Sequence, residues 1–183
     1  MPIKLAAVSV LVTLATTSLS AQEPAGSSRF GPVIESSGPW VLVENPTFKV
    51  PDGHVFKAVY VIDKADTSAV TMQLITIARF LNLHAKHGVA RERVQAAAVV
   101  HGSGWMSLLS DSAYGARFGG KGNPSKRLVQ ELLANGVQLV LCGQTAGFRG
   151  VKREELLGGV QVAMSAMSAF NVFQAQGYQY NPW

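Results

Sequence analysis

The stretch Val137–Gly143, VQLVLCG, constrains this chain most. Its five apolar residues are interrupted only by Gln138, and Asn135-Gly136 and Gly143 bound it. An apolar run this short, closed by turn residues, reads as a strand buried on both faces, the kind that parallel sheets use. A helical pattern precedes it, and another element follows the turn Gln144-Thr145-Ala146-Gly147. At its carboxyl end sits Cys142, the one cysteine of the 183-residue chain. In open α/β sheets, ligands and chemistry collect outside the carboxyl ends of the strands. Cys142 is therefore the first candidate for a reactive side chain.

The flanking sequence repeats the same grammar. Phe56–Asp63 and Val94–Val100 read as core strands, Val160–Met164 as a fourth, and Tyr178–Tyr180 as a short edge strand. Between the first two, Val70, Leu74, Ile77 and Leu81 keep the spacing of one helical face, with Thr67 or Ser68 as cap and an end near Lys86. Trp105–Leu109 reads as a short helix and 115–122 as a glycine-rich loop. Asn123-Pro124 opens the next helix, which Asn135-Gly136 closes. Arg149–Leu157 reads as a polar loop or short helix. Ser165 caps a last helix that runs to about Gln176. Strands alternating with helices specify a parallel sheet covered by helices, with right-handed crossovers.

The N-terminal part reads differently. Lys4 precedes an apolar run from Leu5 to Ala15, and small residues around Ser18, Ser20 and Ala21 offer a cleavage site. That is the pattern of a secretory signal peptide over residues 1–21, too short to be a comfortable membrane span, although an uncleaved anchor is the alternative. Cleavage would leave no membrane span and would put the protein in the periplasm or outside the cell. Residues 22–55 are rich in Pro, Gly and Ser and carry one extended piece, Trp40–Val43. They read as a partly ordered arm that lies on the domain or on a neighbour. The α/β domain takes 56–183.

Composition excludes some classes. The net charge is +5, but the basic residues are scattered, with Lys126-Arg127 and Lys152-Arg153 as isolated pairs. Nucleic-acid binding calls for a clustered basic footprint, so it is not expected. No cofactor is expected either. Gly102-x-Gly104 opens a dinucleotide fingerprint, but Ser107 stands where the third glycine belongs. His101-Gly102-Ser103-Gly104 resembles an esterase oxyanion loop without the nucleophile elbow that should accompany it. His84 and His87 share a helical face but have no third ligand nearby, so they read as solvated helix-end histidines and no metal site is expected.

For Cys142 three readings stand: an inert buried thiol, an intermolecular partner, or a reactive thiol. The spacing from Cys142 to Arg149 is one residue too long for a cysteine-phosphatase loop. What remains is a thiol at a strand end followed by Gly143, Gln144 and Thr145, with polar groups able to stabilise a thiolate. His101 ends the neighbouring strand-like segment, and it becomes a base or charge partner if that strand adjoins the one bearing Cys142. The plainer alternative is a ring bonded within its own glycine-rich loop, Gly102-Ser103-Gly104.

Several motifs, taken in order, resemble the DsrE/DsrF-like family of sulfur-relay proteins. They are Gln130–Val137, Leu141–Thr145, Glu155–Val160, Ala163–Ala166 and Gln174–Tyr178. The resemblance covers about Phe56 to the C-terminus. It implies a three-layer, flavodoxin-like α/β fold and assembly as homotrimers or homohexamers. It also implies sulfur passed as a cysteine persulfide between donor and acceptor proteins. In the family pattern the carrier cysteine lies in the loop after the second strand unit. Here that loop, 101–123, holds no cysteine, and Cys142 corresponds to another position, seen in a subgroup of unclear function. Two functions are therefore expected as alternatives. One is an exported persulfide carrier or sensor acting through Cys142. The other is a non-catalytic oligomeric binding module whose cysteine is structural.

Overall fold

A computed structural model of the chain describes residues 29–182. The segment read as a signal peptide, 1–21, lies outside the described residues, as do the first residues of the arm.

Five strands form one parallel sheet in the order β4-β3-β2-β1-β5. They are β1 (Phe56–Ile62), β2 (Val94–Val100), β3 (Gln138–Cys142), β4 (Gln161–Ala163) and β5 (Gln179–Tyr180). Five α-helices join them: α1 (Met72–Lys86), α2 (Asp111–Arg117), α3 (Lys126–Ala134), α4 (Gly143–Arg149) and α5 (Ala166–Ala175). The chain steps in one direction from β1 to β4, then returns past β1 to place β5 at the other edge. Right-handed crossovers put helices of the outward steps on one face and the helix of the return step on the opposite face.

The two cores record this. Ala58, Tyr60, Ala96, Ala98, Val100, Leu139 and Leu141 pack with α1 and α3 residues such as Leu74, Ile77, Leu128 and Leu132. Their alternates Val59, Ala97, Val99 and Val140 pack on the other face with Ala169 and Phe173 of α5. Period-two alternation between two buried faces explains why the strands read as continuous apolar runs.

Several elements differ from their sequence reading. Helix α1 begins at Met72, not at Thr67 or Ser68. The Asp66 carboxylate accepts from the Ser68 N–H and hydroxyl at 2.6 and 2.5 Å, so this stretch closes a local turn. Val70, assigned to the helical face, lies before the helix and is exposed. The glycine-rich loop at 115–122 starts inside α2, which Ser110 caps by accepting from the Ala113 N–H at 3.3 Å. Asn123 does not cap α3 directly. Its side-chain oxygen accepts from the Ser125 N–H at 2.9 Å and closes the turn that leads into the helix.

Asn82 makes most of the side-chain bonds that tie the arm down; the Ser36 N–H also donates to Glu131, and the Pro39 carbonyl accepts from Arg79. Asn82, fully buried on α1, accepts from the Val33 and Ile34 N–H groups and donates to the carbonyls of Ile34, Ser37 and Gly38. Ile34 is thereby part of the same core as the strands, and Trp40 is buried beside Gly31, to whose carbonyl its indole donates. Beyond Trp40 the arm turns outward, and Val41, Leu42 and Val43 are exposed.

Candidate functional site

Strand β3 ends at Cys142, and α4 begins at the next residue, so Cys142 is the N-cap of that helix. This tight strand-to-helix turn needs Gly143. A Cβ there would lie 2.5 Å from the Ala163 carbonyl oxygen and 3.2 Å from that of Met164. Glycine lets the start of α4 press against the end of β4, which pairs with β3 through Cys142 and Ala163.

The strand alternation carries Cys142 onto the face that holds α5. Ser165 caps α5, its Oγ accepting from the Ser168 N–H at 3.1 Å. That leaves the Ala166 N–H without a partner inside its own helix, and it donates to the Cys142 sulfur at 3.2 Å. Thr145 and Gln144 at the start of α4 add a polar surrounding that favours the thiolate, while the Ala166 N–H is the hydrogen bond the sulfur accepts. Burial pushes the thiol up, but the Ala166 N–H and the polar groups of Thr145 and Gln144 outweigh it and hold Cys142 below the ordinary thiol value.

Strand β2 adjoins β3, with Val100 opposite Leu141 as the last paired positions. One step further, His101 and Cys142 are neighbours on the face that carries Val99, Val140 and α5. Adjacent strands stand about 4.8 Å apart, which puts the two residues side by side at the carboxyl ends. His101 still follows the ladder to β1, its N–H donating to the Ile62 carbonyl at 2.9 Å. It is not among the hydrogen-bond donors to the sulfur.

Gly102, Ser103 and Gly104 turn away from Cys142. They open a 3-10 helix, Gly102–Leu108, that is sewn to the end of β1. The Ser103 N–H donates to the Asp63 carbonyl at 2.9 Å, and Ser103 Oγ accepts from the Ala65 N–H at 3.0 Å. A Cβ on Gly102 would lie 2.5 Å from the Asp63 carbonyl oxygen, and one on Gly104 would lie 2.3 Å from that of Ile62. Close packing against β1 accounts for both glycines. His84 packs among the rings of Phe56 and Phe80, its Nδ1 2.7 Å from the Phe80 carbonyl oxygen, and no metal-holding cluster occurs among the described residues.

Cys142 is 5% exposed, and Met164 and Met167, which follow the paired Ala163 and the donor Ala166, are each more than three-quarters exposed. Ala166 was not legible as a site residue. The only local signal was Ser165, a capping residue directly after a strand.

This is a doubly wound parallel α/β domain whose thiol sits at a strand end and accepts from a helix-start amide. The DsrE/DsrF-like family model matches residues 57–181, and the chain belongs to that family. It is similar to the solved structure of MTH1491 from Methanobacterium thermoautotrophicum, described as a protein of unknown function. That likeness has 24% identity and a TM-score of 0.52, over 70% of this chain and 99% of the other. The ychN protein from E. coli is similar at 15% identity and a TM-score of 0.51, over 70% of this chain and 100% of its own. No curated protein matches the sequence.

Proposed function

We propose that this is an exported sulfur-handling protein in which Cys142 carries or senses sulfane sulfur as a persulfide. The thiolate attacks the terminal sulfur of a persulfide or polysulfide donor. A new S–S bond forms on Cys142, the donor's own S–S bond breaks, and the donor leaves as a thiolate. No net oxidation occurs, and an acceptor thiolate reverses the step. The single observation that supports this reading is the Ala166 N–H directed at the sulfur from a second helix. An inert buried thiol has no need of amide donors, whereas a thiolate is favoured by them. His101, one register step away on the neighbouring strand, is a second group beside the reacting sulfur.

The same reading includes a cleaved signal peptide over 1–21, a periplasmic or secreted location, and assembly as a homotrimer or homohexamer. Donor and acceptor proteins would be its partners. The exposed Met164 and Met167, next in the chain to Ala163 and Ala166 at the thiol, suit a surface that another chain covers.

The near-complete burial of Cys142 favours a second reading, a non-catalytic oligomeric scaffold with a structural cysteine. One experiment separates the two. The native protein is treated with polysulfide and its intact mass is measured. The first reading expects a gain of one sulfur, removed by dithiothreitol and absent in Cys142→Ser. A native thiol that stays unmodified until the protein is denatured leaves only the scaffold.

A further inference from the structure

The sheet ends at β4 with an open edge. β4 pairs with β3 on one side, and its outer side pairs with no described residue. Neither a charge nor a proline guards that edge, since 160–164 reads Val-Gln-Val-Ala-Met. The opposite edge differs: β5 is two residues long and runs directly into Asn181-Pro182.

β4 also has a groove on each face. Val160 and Val162 pack on the core under α1 and α3, and Leu156, Leu157 and Arg153 join them in lining a groove of about 460 Å³. Ala163 packs on the α5 core, and Val140, Phe173 and the exposed Met164 join it in lining a second groove of about 390 Å³. An open edge flanked by two grooves is the form that receives an added strand. The edge bonds the incoming backbone, and the grooves take its alternate side chains.

The arm carries an extended piece that no sheet uses. Val41, Leu42 and Val43 follow the buried Trp40, are each about half exposed, and make no backbone hydrogen bond with a described residue. Their number matches the three residues of β4. On an extended strand Val41 and Val43 share one face, and Leu42 and Glu44 share the other. Neither Glu44 nor Arg153 has an ion pair among the described residues. This charge match orients the piece: Leu42 enters the groove of Leu156, Leu157 and Arg153, and the valines enter the α5 groove.

The tether sends the piece to another molecule. Trp40 is fixed beside the end of α1, where Lys86 lies over its ring, and α1 packs on β1 and β2. β4 lies two strands further, about 10 Å beyond β2 in the plane of the sheet. The arm leads back into β1 instead.

We propose that Val41–Val43 of one copy docks as an added strand on the β4 edge of a second copy, with Glu44 of the first facing Arg153 of the second. The inference rests on the reading of the protein as an oligomer and names the surfaces that build it. Each copy gives its arm to one neighbour and receives an arm from another. Head-to-tail contacts of this kind close into rings, a trimer among them.

The test is light scattering over a dilution series, on the parent and on variants checked for folding by circular dichroism. Leu42→Asp should raise the concentration at which the assembly dissociates by about tenfold or more, the scale of losing one buried leucine from a contact. Val70→Ser, at an exposed valine outside the arm, should match the parent. Glu44→Arg and Arg153→Glu should each weaken assembly. The chain carrying both should recover it, because the two charges meet again with their signs exchanged.

A Leu42→Asp protein that assembles like the parent overturns the proposal, as does a doubly substituted chain no stronger than either single variant. Parental assembly together with faster proteolysis within 41–55 places the piece on its own body and overturns the docking equally. If Leu42→Asp fails to fold, the charge-reversed chains decide alone. A parent that is monomeric at every concentration overturns the oligomer reading and the docking with it, whereas an oligomeric parent indifferent to Leu42 removes the docking alone.

Discussion

The Ala166 N–H lies 3.2 Å from the Cys142 sulfur, although the two residues are 24 positions apart in the chain. The contact exists because β4 pairs beside β3 and delivers the start of α5 over the end of its neighbour. A sulfur that accepts from the amide at a helix start is biased toward its charged form.

The thiol should make stability depend on pH. Its folded-state value lies below the ordinary one, so the thiolate's extra stabilisation is complete above the unfolded value of about 8.5 and is lost as pH falls through the folded value. The unfolding free energy of the parent minus that of Cys142→Ala should therefore rise with pH across this window and level off above it. Urea titrations from neutral to alkaline pH measure the difference. A flat difference would mean that folding leaves the thiol unperturbed.

Gly143→Ala should damage the site from the backbone side. The new methyl would meet the Ala163 carbonyl oxygen at 2.5 Å, and backbone cannot move aside as a side-chain end can. We expect a loss of about 1–3 kcal/mol, typical of overpacking, together with slower alkylation of Cys142. A Gly143→Ala protein with parental stability and reactivity would remove the close approach of α4 to β4 from the account.

Asn82→Ala should release the arm. The Val33 and Ile34 N–H groups and the Ser37 and Gly38 carbonyls lose their partner, while the Ile34 carbonyl keeps the Gly31 N–H, and each buried group left unpaired costs about 1–3 kcal/mol. Limited proteolysis should cut the variant within 29–55 well before the parent. Equal rates of cutting would show that the Asn82 bonds do not hold the arm.

Assembly and export have direct measurements. Light scattering at micromolar concentration should give the mass of three or six chains, and a monomer would refute the trimer or hexamer. Intact-mass analysis of protein from the periplasmic fraction should place the first residue near Gln22. A mass that retains 1–21 would indicate an anchored form.

Element types and most of their bounds were legible from the chain alone. Val94–Val100 is a strand over the residues its apolar run predicts, and Ser165 caps α5 as a serine after a strand should. Periodicity and capping are local physics, written in neighbouring residues, so they survive in a one-dimensional reading. It also marked Cys142, because a strand end is a local property. It missed the true start of α1, because the Asp66–Ser68 turn competes with the helix for the same backbone groups.

Which strands are neighbours became visible only in the folded chain. The order β4-β3-β2-β1-β5 is what sets His101 beside Cys142 and Ala166 above it, and the same order turns Gly102, Ser103 and Gly104 toward β1. The Asn82 clasp on the arm and the bond from the Arg117 guanidinium to the Arg149 carbonyl at the end of α4 likewise join residues more than thirty positions apart. No local pattern encodes such pairs. Strand order and side-chain partners follow from burying two faces of one sheet at once, a condition the whole chain satisfies together.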